Sequence, residues 1–189
     1  VHTGKDWARN KREYETRTAK AKPLTEEGKS KIVDPSRAVA LLETIIRPGD
    51  RVGLEGNNQK QADFLADCLC KVDPVKVNRL HMVQSAIALS SHCELFERGI
   101  AAKVDFSFSG PQAREVARLV NVGKLKIGEI HTYLELFSRY FLDLTPQVAL
   151  VVGIQADKNG NLYTGPNTED TPAIVEATHF KQGIVVAQV

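Results

Sequence analysis

From Asp34 onward, short β-rich runs alternate with stretches of helical period, and this alternation restricts the fold more than any other property of the chain. Asp34-Pro35-Ser36 supplies a capping residue and an early proline, and Val39, Leu42 and Ile46 follow at helical spacing. Arg47-Pro48-Gly49-Asp50 ends that helix, because proline cannot continue it and glycine accepts the turn. Residues 51–54 then read as a strand, and Ala62, Leu65, Ala66 and Leu69 line one face of the next helix. The same reading predicts strands at 77–84, 104–108 and 125–130, with helices at 86–98, after Ser109-Gly110-Pro111, and at 133–140. Val148-Ala149-Leu150-Val151-Val152 is continuously apolar, as in a strand buried on both faces of a parallel sheet. Asp157-Lys158-Asn159-Gly160-Asn161 carries hairpin chemistry, with 162–164 as the returning arm. A short helix from Thr171-Pro172 to Glu176 and a last strand at 183–189 complete the pattern. An α/β fold with a mainly parallel sheet flanked by helices is the expectation.

Charge divides the chain unevenly. Residues 1–31 hold nine basic and five acidic groups, and the rest carries 16 basic against 18 acidic, for a net charge of +2. The basic leader, 1–31, alternates in sign through Lys11, Arg12, Glu13, Glu15 and Arg17, which suits a solvated helix. No interleaving of aromatic and basic residues elsewhere suggests a nucleic-acid partner. No apolar run approaches the roughly 20 residues that span a bilayer, and the start of the chain lacks the apolar core of a signal peptide. The expectation is a cytoplasmic protein with no membrane partner. Cys68, Cys70 and Cys93 show no repeated metal-ligand spacing and are expected to be reduced and partly buried. The chain ends within an apolar strand, so 32–189 is expected to be an α/β domain truncated from a longer two-domain polypeptide.

Ligands of open α/β sheets bind beyond the carboxyl ends of the strands, so the loops there are the places to seek chemistry. The first is Glu55-Gly56-Asn57-Asn58-Gln59-Lys60-Gln61, which lacks the phosphate-binding and dinucleotide glycine patterns. It reads either as an oxyanion cradle of consecutive amides or as a polar turn. The backbone around Ser109 and Gly110 reads as a helix cap or a further set of donors. His131 and Glu135 stand one helical turn apart, like half a metal site or an acid–base pair, but the second histidine of the zinc-protease pattern is missing, which favours a hydrogen-bonded structural histidine. His81 and His179 carry no pattern of their own, and no metal is expected. The run 160–172 packs two glycines, two prolines and two acidic groups into a shaped loop. Its Glu169 and Asp170 are either general bases or charges that favour the following helix N-terminus.

Several long motifs together carry a resemblance. They are Leu54-Glu55-Gly56-Asn57-Asn58-Gln59-Lys60-Gln61-Ala62-Asp63-Phe64, His81-Met82-Val83-Gln84-Ser85, Asp105-Phe106-Ser107-Phe108-Ser109-Gly110-Pro111-Gln112 and Ile130-His131-Thr132-Tyr133-Leu134-Glu135-Leu136-Phe137. With the Asn161-to-Pro172 run, the chain resembles the alpha subunits of bacterial biotin-independent malonate decarboxylases, and more distantly the CoA transferases. The resemblance implies the N-terminal half of a CoA-transferase-like (NagB/RpiA-like) fold. It implies an acyl carrier protein (ACP) transferase in which acetyl-ACP and malonate give malonyl-ACP and acetate. The acyl group would ride on a carrier-borne phosphoribosyl-dephospho-CoA arm, with no cofactor bound directly. The implied partners are the acyl carrier protein subunit and the malonyl-ACP decarboxylase subunits. Gly56, Asn57, Asn58 and Gln59 are the implied thioester-binding residues, and Gly165, Asn167, Thr168 and Glu169 the substrate or carrier loop. The nucleophilic glutamate is expected beyond Val189, which leaves Glu55, Glu135 and Glu169 as second choices. The alternatives are a CoA transferase or CoA-thioester hydrolase acting on free acyl-CoA, and a non-catalytic assembly module.

Overall fold

The apolar run at 148–152 forms β5 (Val148–Val152), and its position organises the sheet. The computed structural model describes residues 4–28, 31–57, 59–157 and 159–189. Six parallel strands lie in the order β4-β3-β2-β1-β5-β8, with β1 at Arg51–Leu54, β2 at Leu80–Ala86, β3 at Ala101–Phe108, β4 at Lys126–Ile130 and β8 at Ile184–Gln188. From β1 the chain steps outward through β2, β3 and β4, then returns across the sheet to β5 on the other side of β1 and on to β8. The register pairs Gly53 with Val83 on one side and with Ala149 on the other.

Alternation along the strands sends two sets of side chains to two faces. Val52, Leu54, Met82, Val104, Phe106, Val148 and Leu150 pack with α2 (Ala38–Ile45), α3 (Asp63–Cys70), α4 (Ser90–Glu97) and α5 (Ala113–Asn121) in the larger core. Val83, Ala149 and Val151 pack on the opposite face with Leu136 and Tyr140 of α6 (Tyr133–Leu142) and Ile174 and Ala177 of α7 (Thr171–Phe180). Outward winding uses helices on one face and the return uses helices on the other, which keeps every crossover of one hand. β1 and β5 are therefore the neighbours at which the winding reverses. A crevice opens at the carboxyl ends of such strands.

The local chemistry of the sequence accounts for most boundaries. Asp34 caps a 3-10 turn by accepting the Ser36 N–H at 2.9 Å, and that turn leads directly into α2. β2 begins at Leu80 rather than at residue 77, because Lys76 and Val77 donate their amides to the Asp73 carbonyl in a turn, each at 2.9 Å. The next helix starts at Ser90 rather than at residue 86, because Ala86 ends β2 and Ile87 still donates to the Phe108 carbonyl at 3.0 Å. β6 (Gln155–Ala156) and β7 (Leu162–Tyr163) form the small antiparallel hairpin read from Asn159-Gly160. The α7 helix runs on to Phe180, past the expected end at Glu176. All three cysteines are free and buried, and burial pushes the Cys70 thiol up to about 12.

The basic leader is an α-helix, α1 (Gly4–Ala21), packed against α2. Its buried Arg17 forms a bidentate pair with Asp50 and also donates to the Ile45 carbonyl at 3.0 Å. Trp7 meets Phe180 of α7 edge-on, with ring centroids 5.1 Å apart. Among the described residues no helix is long and apolar enough to cross a membrane. Removing one partner of a mostly buried pair leaves its mate uncompensated, so Arg17→Ala is expected to destabilise the full-length subunit by about 3 kcal/mol. Hydrogen exchange should rise throughout α1; unchanged protection there would show that Arg17 does not anchor the helix.

Candidate functional site at the carboxyl ends of the first and fifth strands

β1 ends directly on Glu55, whose side chain is fully buried where the sheet reverses. The Glu55 amide donates to the Leu150 carbonyl at 2.9 Å, and its Oε2 accepts the Val152 amide at 2.8 Å, so one residue joins β1 to the end of β5. The other carboxylate oxygen accepts the Thr171 hydroxyl at the start of α7 and lies 3.1 Å from the Lys60 ammonium. Lys60 also donates to the Thr171 hydroxyl. Burial raises the Glu55 pKa, against the lowering effect of Thr171, the Val152 amide and Lys60. With its oxygens occupied and its side chain sealed, Glu55 is a structural carboxylate.

The loop that follows closes on itself. Gly56 and Gln61 form an isolated antiparallel bridge, and Ala62 donates back to the Glu55 carbonyl at 2.9 Å. Asn57 is the hub: its Oδ1 accepts the amides of Gln59 and Lys60, each at 2.8 Å, and its own amide donates to the Lys60 carbonyl at 3.1 Å. The amides of Asn57, Gln59, Lys60 and Ala62 are thus engaged within the bend, which is closer to the polar turn than to the open cradle of the two readings of the sequence. Asn57, expected to donate to a thioester oxygen, is instead buried, and its Nδ2 approaches Asp170 Oδ1 at 3.5 Å. Gly56 is buried against His92, where an added Cβ would lie 2.5 Å from the ring. Gln59 is exposed, and Asn58 lies outside the described residues.

The second loop comes to the same place. Asn167 Nδ2 donates to Gln59 Oε1 at 3.3 Å, Asn57 meets Asp170, and Lys60 meets Thr171, so the two loops singled out in the sequence touch at three points. Gly165 adopts a left-handed φ of +78°, Thr168 approaches the Thr164 hydroxyl at 3.3 Å, and exposed Glu169 sits at φ +43°, a region costly for a side chain with a Cβ. Asp170 is buried at the head of α7, with one carboxylate oxygen lacking a hydrogen-bond partner. Burial raises its pKa, and Ser85, which approaches from the end of β2, acts in the opposite direction together with Asn57 and Lys60. The Tyr140 hydroxyl is also buried without a hydrogen-bond partner among the described residues. A buried hydroxyl of this kind calls for a polar partner.

A second polar group lies on the face covered by α6 and α7. Asp105 of β3 accepts from His81 on one oxygen, and from His131 at 3.1 Å and the Glu129 amide at 3.0 Å on the other. Burial opposes its ionisation, but the His81 and His131 hydrogen bonds and nearby Lys103 outweigh it and lower the Asp105 pKa. His131 Nδ1 faces Glu135 Oε1 at 3.5 Å, so the sequence pair 131/135 belongs to this network. Asp105, Glu129 and His131 offer ligand atoms within 4.8 Å of one another. Lys103 lies 3.5 Å from Asp105, and Arg139 holds the exposed Glu129, so cations already serve these carboxylates. His179 of α7 is exposed and takes no part.

A family model described as malonate decarboxylase, alpha subunit, transporter, matches residues 6–189. The chain belongs to the malonate decarboxylase alpha subunit family. It is 62% identical, over 159 residues, to the acetyl-S-ACP:malonate ACP transferase of Malonomonas rubra, a match covering 84% of this chain and 29% of that protein. The crystal structure of a Pseudomonas malonate decarboxylase hetero-tetramer in complex with malonate contains a chain with 50% identity and a TM-score of 0.94, matched over all of this chain and 34% of that one. The malonate decarboxylase alpha subunit of Acinetobacter baumannii is 45% identical, with a TM-score of 0.93 over 97% of this chain and 33% of that one. The chain thus spans about a third of the length of these family members. A variant of the decarboxylase AibA/AibB, at 16% identity and a TM-score of 0.57, shares the fold alone.

Two measurements test this part of the site. Glu55→Gln leaves the Lys60 ammonium buried without its counterion, and is expected to lower stability in urea unfolding by about 3–5 kcal/mol. A loss below about 1 kcal/mol would remove Glu55 from its joining role. Burial holds the His92 pKa down at about 4, below the ordinary 6.5. The unfolded chain therefore takes up this proton before the native one does, and stability falls as pH drops from about 6.5 to about 4, by about 3 kcal/mol. His92→Gln should remove that part of the slope; equal slopes for the two proteins would place the ring in contact with solvent.

Proposed function

We propose that this chain forms part of an acetyl-ACP:malonate ACP transferase, in which acetyl-ACP and malonate give malonyl-ACP and acetate. The observation that carries the reading is the junction of the Gly56–Gln59 bend with the 165–170 loop, supported by 62% identity to an acetyl-S-ACP:malonate ACP transferase. The acyl group arrives as a thioester on a phosphoribosyl-dephospho-CoA arm of the carrier subunit, which acts as substrate. A carboxylate nucleophile attacks the thioester carbonyl, the carrier thiolate leaves, and a mixed anhydride forms. The thiolate then attacks the enzyme carbonyl and expels acetate, malonate attacks the resulting enzyme thioester and expels the thiolate, and the thiolate takes up the malonyl group and frees the enzyme carboxylate, so each turnover consumes one carrier thioester and forms another. The nucleophile belongs to the portion of the relatives that this chain does not span. The malonyl-ACP decarboxylase subunits then consume the product.

Within this scheme Gly56 and Asn57 shape the bend, and Gln59 is its outward donor toward the thioester oxygen, with Asn58 beside it in sequence. Gly165, Asn167, Thr168 and Glu169 form the opposite wall, which meets the malonate or the carrier arm. Asn167 fixes the Gln59 amide by donating to its oxygen, which turns the Nε2 donors of Gln59 away from Asn167. A preorganised donor of this type is worth about 10²–10³-fold in kcat.

The test uses the full-length subunit with acetyl-ACP and labelled malonate, compared with acetyl-CoA. Transfer to the carrier-bound thioester should exceed transfer to free CoA. Gln59→Ala should lower kcat by about 10²-fold with little change in urea stability. Equal use of free CoA would favour a CoA transferase, and an unchanged kcat would remove Gln59 from the site.

A further inference from the structure

The opposite end of the sheet holds a cleft of about 370 Å³, where β1, β5 and β8 begin and α1 crosses over them. Its walls carry carboxylates and cations in similar number, but the pairing among them is uneven. Asp50 is held by Arg17, Glu13 by Arg47, and Asp143 by a bidentate contact from Arg139. Each carboxylate is thus claimed by an arginine other than Arg51. Arg9, which also lines the cleft, pairs with Asp6 at 3.2 Å, which leaves Arg51 at the start of β1 and Lys181 at the end of α7; among the described residues neither comes within ion-pair distance of a carboxylate.

Their hydrogen bonds are to neutral acceptors. Arg51 Nη1 donates to the Thr145 carbonyl at 3.1 Å, and its Nε faces His81 Nδ1 at 3.5 Å. Lys181 donates to the Leu142 carbonyl at 2.6 Å. Burial lowers the pKa of both, Asp143 acts in the opposite direction on both, and Arg51 lowers that of Lys181 further. The two partly desolvated cations thus share one carboxylate that Arg139 already holds by two hydrogen bonds, and a further anion between them is favourable. Between them on the cleft wall, Gln182 adopts a left-handed φ of +61°, which costs roughly 1–2 kcal/mol for a residue with a Cβ. A glycine there would be unstrained. This conformation ends α7, with the Gln182 amide donating to the His179 carbonyl at 2.9 Å and that of Gly183 to the Thr178 carbonyl at 2.8 Å, and it leaves Gln182 on the cleft wall.

We propose that this cleft binds a compact phosphate-class oxyanion, bridged by Arg51 and Lys181 with Gln182 as a further donor. Arg51 offers the planar fork that suits such an anion, and Lys181 a mobile point charge. The phosphate is either free or borne on a nucleotide. This site is independent of the acyl-transfer reading, since it shares none of the residues assigned to it.

The test uses the full-length subunit at low ionic strength, titrated with inorganic phosphate and separately with ADP, against sodium chloride of equal ionic strength. Phosphate or ADP should raise Tm and give saturable heat by calorimetry where chloride does not. Lys181→Gln should weaken binding at least tenfold, and Lys181→Arg should restore most of it. Gln182→Gly should retain or raise Tm without ligand while weakening binding. ADP binding ten times tighter than phosphate identifies a nucleotide-borne group, and comparable affinities identify the free anion. No saturable binding of either, or binding equal in wild type and Lys181→Gln, would overturn the proposal. Acetyl-ACP:malonate transfer, measured in the same variants, reports separately on the function proposed above.

Discussion

The carboxylate of Glu55 sits where the winding of the sheet reverses, and most of what positions the candidate site depends on it. A parallel sheet that winds both ways from a central strand leaves two adjacent strands whose connections depart to opposite faces. The backbone beyond their carboxyl ends diverges and must be held by something other than sheet hydrogen bonds. Here one side chain does this, accepting from the Val152 amide, from Thr171 of α7 and from the Lys60 ammonium of the first loop. Taking an ion pair out of water gains little net stability, and a pair of apolar residues would serve the core as well. An apolar pair, however, would not define the angle between the bend, β5 and α7. The carboxylate supplies direction, and direction is what brings Gln59 to Asn167.

The two faces of the sheet solve different problems. On one, four helices cover aliphatic side chains, and the free energy comes from burial of apolar area. On the other, α6 and α7 cover mainly the strands around β1 and β5, while β3 and β4 present Lys103, Asp105 and Lys126. Asp105 is buried there, so it needs partners, and it recruits them from β2, β4 and the turn after β4. His81 donates to it from Nε2 while its Nδ1 faces Arg51, a tautomer consistent with both contacts. A chain of polar contacts then crosses three strands, from Arg51 through His81 and Asp105, and reaches His131 in the turn after β4. Gly128 permits it, since a Cβ at that position would lie 2.2 Å from an Asp105 oxygen.

Local periodicity carried much of this architecture, and its failures have local causes. The strand at 148–152 was legible because burial on both faces leaves a continuous apolar signature, and that at 51–54 because the Arg47-Pro48-Gly49-Asp50 turn sets it off from the preceding helix. The start of β2 was misplaced because Val77 is as buried as a strand residue while its amide closes a turn on Asp73. The helix expected from residue 86 was overextended because Ala86 and Ile87 are apolar in either state, and only the pairing with β3 decides between them. Both loops of the candidate site stood out by composition. Their junction did not, because Lys60 and Thr171 are 111 residues apart and each looks locally like an ordinary loop or helix-start residue. Asp105 was missed as a hub for the same reason: its histidine partners lie 24 and 26 residues away, and nothing at either histidine indicates a shared carboxylate.

The inward hydrogen bonding of the first bend changes what kind of site this is. A cradle of free backbone amides binds by shape that the fold alone sets, and side-chain identity matters little to it. A bend in which Asn57 accepts the amides of Gln59 and Lys60 has less of that generality. The exposed Gln59 side chain is a donor whose orientation depends on the opposite loop through its contact with Asn167. Behind them the Asp170 carboxylate is buried at the head of α7, where burial raises its pKa against the lowering effect of Ser85, Asn57 and Lys60. Two of those three groups belong to the first loop, so that loop acts on the charge of the second as the second acts on the orientation of Gln59. Coupling between the loops, rather than either loop alone, then sets both the geometry of the donor and the charge behind it.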